Sequence, residues 1–204
     1  YGLSRTTVRL ALQELEKQGY IYRQHGKGTF VSDLSKQVTN LSGSYSFTEQ
    51  MRSVGKTPET KILEFEVVEA NKYLAGRLGV SLGEKLLKLK RLRLADGQPM
   101  MLERSYLPAK KFLTLTRELL EQKPLYDLFS QEFNQTIRVA NEEFFATIAK
   151  SKDARQLQII EGSPVLSLRR TTYNTENEII EFTLSVARAD QFRYRIAHVR
   201  TPEN

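Results

Sequence analysis

The chain has 204 residues, 40% hydrophobic and 27% charged, enough for one substantial core and a smaller satellite domain. Its apolar runs fall far short of the roughly 20 residues that span a bilayer, it shows no signal-peptide pattern, and with no cysteine it has neither disulfides nor thiolate chemistry, so a cytoplasmic setting is expected. Only two histidines are present, which excludes a histidine-built zinc site, and the net charge of +7 favours a polyanionic partner.

The first element is a helix. Ser4 is a good N-cap, Val8, Ala11, Leu12 and Leu15 fall on one face at helical spacing, and Gly19 supplies a left-handed stop. Arg5, Thr6 and Arg9 lie in its first turns on the opposite side. Arginine can grip a guanine edge with two hydrogen bonds, and threonine hydroxyls beside the orphan amides of a helix start suit phosphate oxygens. Residues 20–23 and 29–31 are short strand-like runs around Gly26, Lys27 and Gly28, a hairpin with a flexible basic tip. Helix followed by basic hairpin is the outline of a winged helix. Gly26-Lys27-Gly28-Thr29 is similar to a phosphate-binding P-loop but lacks its Gly-x-x-x-x-Gly-Lys-Ser/Thr spacing.

The composition then turns polar without an amphipathic period, which places a linker at 34–40 between a reader domain, 1–33, and a larger domain, 41–204. In the larger domain Leu63, Phe65 and Val67 alternate with Glu64 and Glu66 as a half-buried strand. Residues 71–78 form a short helix, and two strands flank a turn at Asp96-Gly97. The scheme of helix, strand, turn and strand repeats with a shift of 78 positions, laying Arg91 on Arg169, Glu103 on Glu181 and the Asp96-Gly97 turn on Asn174-Thr175. Antiparallel hairpins with helices on one side give an α+β domain. In the strand 87–93 the odd residues Leu87, Leu89, Arg91 and Arg93 share a face, so two arginines continue a face that starts apolar. Buried charge needs an opposite charge, from a phosphate or from the carboxylates of Glu103 and Glu181. An internal ion pair, or a bulge that returns both arginines to solvent, is the other reading.

Residues 19–31, Gly-Tyr-Ile-Tyr-Arg-Gln-His-Gly-Lys-Gly-Thr-Phe-Val, follow a helix that carries Thr-Val-Arg, and the combination closely resembles the GntR family of bacterial regulators. The resemblance implies that Arg5, Thr6, Thr7 and Arg9 contact the major groove and its phosphates, that His25 and Gly26 contact the minor groove at the wing tip, and that Lys27 adds phosphate attraction. In that family two helices precede the recognition helix. The expectation is a truncated winged helix-turn-helix, with about 35 further residues before Tyr1, what two short helices and their turns need.

From about residue 41 to 195 the chain resembles the UTRA effector domain of the HutC branch of that family. The matching points are residues 46–51, 90–100, 103–108, Leu125-Tyr126 and 180–185. The resemblance implies an antiparallel sheet like the chorismate lyase fold and a small effector, frequently a phosphorylated sugar. It implies that the helix start at Phe47 and Thr48 offers amides to the phosphate, that Arg91 and Arg93 supply charge, that Glu103 and Glu181 accept hydrogen bonds from sugar hydroxyls or an amine, and that Tyr126 lines the pocket. Pro124 stands where many relatives carry serine and Ala187 where tyrosine is common, so one polar contact and one aromatic wall are missing. The expected protein is a transcription regulator, a homodimer that binds double-stranded operator DNA under the control of a small metabolite, with no cofactor, metal or membrane. An enzyme of the chorismate lyase type is the alternative from another class, and a nonspecific nucleic-acid binder is a third; His198, in a polar tail, makes no hydrolase site.

Overall fold

The computed structural model describes residues 4–17, 21–24, 28–31 and 46–192. Helix α1 (Arg5–Lys17) begins where the sequence predicts, because the Ser4 hydroxyl accepts the Thr7 amide at 3.1 Å and the Ser4 carbonyl accepts the Val8 amide. Arg5, Thr6, Thr7 and Arg9 are exposed on it. So are Val8 and Leu15, 44% and 39%, on the face whose spacing marks it for burial. Strands β1 (Ile21–Gln24) and β2 (Gly28–Val31) pair antiparallel from Ile21↔Val31 to Gln24↔Gly28, which is the expected hairpin. Gly28 has φ 118°, a conformation that favours glycine. Gly19, the tip residues His25, Gly26 and Lys27, the linker 34–40 and His198 lie outside the described residues.

Residues 46–192 run α2 (Phe47–Ser53), β3 (Pro58–Glu69), α3 (Lys72–Leu78), β4 (Lys85–Ala95), β5 (Gln98–Pro108), α4 (Arg117–Gln122), α5 (Leu125–Gln131), β6 (Ile137–Ile148), α6 (Ser151–Leu157), β7 (Pro164–Asn174) and β8 (Ile179–Arg188). The strands form one antiparallel sheet in the order β3-β4-β5-β8-β7-β6. The α3 boundaries follow from local chemistry: the Asn71 side chain caps the Leu74 amide at 2.9 Å, and Gly79 ends the helix in the left-handed region.

The fold is α+β with an antiparallel sheet, but helices cover both faces and not one. Leu74 and Leu78 of α3 pack on Leu86 and Phe182, and Leu157 of α6 packs on Leu92 and Leu102. On the other face Leu125, Leu128 and Phe129 of α5 meet Leu87, Leu89 and Leu107, while Phe47 and Met51 of α2 meet Met101 and Ala187. The reason lies in β4, which carries leucines on both faces, Leu86, Leu92 and Leu94 on one and Leu87 and Leu89 on the other, so each face needs cover. The alternation expected in β3 is also broken. A bulge between Ile62 and Glu64 sets Leu63 beside Leu92 and Leu157, Phe65 packs in the opposite cluster, and Val67 is 60% exposed.

The strand order is a palindrome, so a half-turn about an axis between β5 and β8 exchanges the two halves of the sheet. Pro58 and Ile137, Lys72 and Ser151, and Lys85 and Pro164 open corresponding elements, each pair 79 positions apart. The repeat read from the sequence is therefore out by one residue. At the offset of these elements Arg91 corresponds to Arg170, not Arg169, while the helices α2 and α5 open 78 positions apart, at Phe47 and Leu125. In a strand a slip of one residue exchanges the faces: the Arg169 side chain is 37% exposed and paired with Glu143, whereas Arg170 turns inward.

Candidate functional site

A small pocket, with about 20 Å³ of room between its walls, lies on the α2 and α5 face, where the two halves meet. Ser46 and Phe47 form one side, Pro124, Leu125 and Tyr126 the other, and Arg91, Arg93, Glu103 and Arg170 the floor. The regular pleat of β4 brings Arg91 and Arg93 to the same face, and the β4–β5 register sets Glu103 opposite Arg91. All three are buried, at 7%, 6% and 7% exposure.

Glu103 Oε2 lies 3.1 Å from Arg91 Nη2 and 3.7 Å from Arg93 Nε, within ion-pair range but outside hydrogen-bond geometry. Arg91 Nη2 also donates to Ser105 Oγ at 3.3 Å, and Arg93 Nη2 to Thr48 Oγ1 at 3.2 Å, while the Arg93 guanidinium lies 4.8 Å above the Phe47 ring. The Nε donors of both arginines are buried without a hydrogen-bond partner. Burial opposes ionisation of Glu103, but Arg91, Arg93 and Arg170 outweigh it and hold the carboxyl below the usual range. Burial, with Arg91 adding to it against Glu103, pulls Arg93 down to about 10, still charged at neutral pH.

Glu181 behaves differently from its expected partner Glu103. It is 1% exposed and sits behind the pocket wall, where Tyr126 Oη (2.8 Å) and Thr172 Oγ1 (2.7 Å) donate to Oε2, and Thr183 Oγ1 (2.8 Å) and Ser105 Oγ (3.3 Å) donate to Oε1. Four hydroxyls thus occupy its acceptor sites. Of the residues marked in the sequence for the effector, Phe47, Arg91, Arg93, Glu103 and Tyr126 line the pocket, Thr48 adjoins it through Arg93, and Glu181 stands behind Tyr126. Pro124 caps α5 through its carbonyl, and Ala187 is buried beside Phe47. Arg170 was missed. The signal was present in the repeat, but at an offset of 79 positions and not 78.

With the geometry in view, comparison with known proteins decides the lineage. Residues 53–193 match the UTRA domain, and residues 1–31 match the bacterial regulatory proteins of the gntR family. The chain belongs to the GntR family. The HTH-type transcriptional repressor NagR of Bacillus subtilis (strain 168) is 36% identical over 197 residues, 95% of this chain and 79% of that protein. The mannosyl-D-glycerate transport/metabolism system repressor MngR of Escherichia coli (strain K12) is 24% identical over 198 residues, 96% and 81% of the two chains. Among solved structures, PhnF from Mycobacterium smegmatis superposes with a TM-score of 0.73 at 27% identity over 97% of this chain and 87% of its own. As a GntR regulator with a UTRA domain, the protein is a DNA-binding transcription regulator and not a lyase. Among the described residues no helix is long and apolar enough to cross a membrane.

Proposed function

We propose that the chain is a repressor whose operator affinity is set by a phosphorylated sugar bound between α2 and α5. One observation carries this reading: two buried arginines that line the pocket share a single carboxylate, and each has a buried Nε donor without a hydrogen-bond partner. Such donors are costly to leave unmet, and a phosphate fills them with charge-assisted bonds. Glu103 then faces the ligand's hydroxyls as the acceptor. The repressor names of NagR and MngR support repression, and the mannosyl-D-glycerate in the name of MngR supports a sugar-containing ligand.

In this reading the protein works in the cytoplasm as a homodimer. Arg5, Thr6, Thr7 and Arg9 face the major groove, with His25, Gly26 and Lys27 at the wing, and two readers bind half-sites about 34 Å apart. Domain limits of 1–33 and 41–204, joined by 34–40, suit that arrangement. The effector alters DNA affinity only by preferring one separation of the readers, and the coupling is reciprocal.

The test is thermal unfolding against a panel of sugar phosphates and their unphosphorylated counterparts. Saturation at about 100 times the dissociation constant adds about 2.7 kcal/mol of stability. One phosphosugar is expected to raise the transition, and the rise is expected to vanish in Arg91→Gln and Arg93→Gln. Stabilisation by a neutral sugar alone would remove the phosphate from the assignment.

A further inference from the structure

The second half of the sheet also sets an arginine over an aromatic ring beside the pocket, although Arg170 is the counterpart of Arg91 and not of Arg93. Arg93 lies 4.8 Å over the ring of Phe47 at the start of α2, and Arg170 lies 5.9 Å over the ring of Tyr126 at the start of α5. Arg91 and Arg93 keep open donors, but Arg170 is engaged on both sides. Its Nε donates to Glu142 Oε1 at 2.6 Å, its Nη2 pairs with the same carboxylate, and its Nη1 donates to Tyr126 Oη at 2.7 Å. Tyr126 in turn gives its only proton to Glu181. Glu142, Arg170, Tyr126 and Glu181 therefore form a chain from the edge strand β6 through β7 and α5 to β8, each member orienting the next. At the head of α5, Pro124 has neither an amide hydrogen nor a hydroxyl to fasten that wall.

We infer that Arg170 is a positioning residue for effector recognition: it holds the Tyr126 hydroxyl and so fixes the α5 wall against the part of the ligand beyond its anion. This rests on the effector reading above. Glu142 already neutralises Arg170, whereas Arg91 and Arg93 share one carboxylate, so the ligand's anion belongs with that pair and its ring with Tyr126. Lysine cannot substitute, because a single ammonium lacks the planar fork that reaches a carboxylate and a phenol together.

The experiment compares Arg170→Gln and Arg170→Lys with Tyr126→Phe and the double variant Arg170→Gln/Tyr126→Phe in the full chain. Inorganic phosphate and glucose 6-phosphate are the calorimetric probes. Arg170→Gln is expected to weaken glucose 6-phosphate about tenfold or more, the scale of one lost hydrogen bond to a charged group, and to leave inorganic phosphate nearly unchanged. Arg170→Lys fails to restore the affinity, and the loss shrinks when Tyr126 is already phenylalanine. Equal losses for both probes, or the same loss in both backgrounds, would mean that Arg170 acts on ligand charge directly and would overturn the positioning role. A second arm needs no ligand. In protein labelled with 13C at tyrosine Cζ, the Tyr126 signal, assigned by its absence in Tyr126→Phe, is expected to move in Arg170→Gln, and an unmoved signal also overturns the inference. If neither probe binds the unaltered chain, the phosphate reading of the pocket falls while the labelled tyrosine still decides the role of Arg170.

Discussion

The two faces of strand β4 carry similar charge to opposite ends. On the outer face Lys88 meets Glu64 and Glu66 at 2.8 and 2.7 Å, and Lys90 meets Glu64 at 2.7 Å; two lysines face two carboxylates from the adjacent edge strand, and the ladder is complete in itself. On the inner face Arg91 and Arg93 are nearly sealed from water and, among the described residues, pair with Glu103 alone. Exposed pairs of the first kind contribute little to stability. Buried charges of the second kind are costly unless fully compensated, and the short count of counter-charge is what the proposed anion would make good. On the proposed reading, charge stoichiometry within one strand separates a structural face from a recognition face.

The strongest way to break this comparison is to remove the shared carboxylate. Glu103→Gln keeps the volume but leaves two buried guanidiniums uncompensated, and is expected to destabilise the chain by about 3–5 kcal/mol in urea unfolding. A loss below about 1 kcal/mol, the range of exposed pairs, would put both faces of β4 in the same class. Replacing the whole group, Arg91→Met, Arg93→Met and Glu103→Leu together, is expected to leave stability unchanged or raise it by about 1–4 kcal/mol, because hydrophobic side chains of similar volume commonly replace buried ion pairs without loss. The same variant is expected to lose all stabilisation by phosphosugars. A stable variant that still responds would place the anion elsewhere in the pocket.

How much of this was legible beforehand follows the range of the interactions. The Ser4 cap, the helix read at 71–78, the hairpin at Asp96-Gly97 and the shared face of Arg91 and Arg93 are set by near neighbours, and the spacing of residues revealed them. The bulge at Leu63 and the cover on both faces of the sheet depend on strand neighbours distant in sequence, and no local pattern carries them. Glu103 and Glu181 look alike in sequence, each a carboxylate in a strand. Only the register distinguishes them: Glu103 lies opposite Arg91, while Glu181 lies opposite Thr172 and within reach of Ser105, Thr183 and Tyr126, which saturate it. The repeat was visible as a pattern, but one residue of offset was enough to exchange Arg170 for Arg169.

The smallest effect is expected on the outer face, and its pH and salt dependence sharpen the contrast. Hydrogen bonds from Lys88 and Lys90 hold the Glu64 carboxyl at about 2 against an ordinary value of 4.5. A carboxyl whose pKa is depressed on folding contributes stability that is complete above the unfolded value and lost as pH falls through the folded one. The contribution of Glu64 is therefore present above about 4.5 and disappears toward about 2. Glu64→Gln is expected to flatten the stability curve across that window while costing less than about 1 kcal/mol at neutral pH, since its side chain is 37% exposed. Glu103 is depressed in the same direction, so it adds acid sensitivity of the same sign, but from a buried site. Salt separates the two. At about 1 M the Debye length falls to about 3 Å and exposed pairs are screened far more than buried ones, so the Glu64→Gln effect is expected to shrink while the Glu103→Gln effect persists. If both decline together, Glu103 is reached by solvent ions, and the deficit of counter-charge around Arg91 and Arg93 is met by the buffer and not reserved for a ligand.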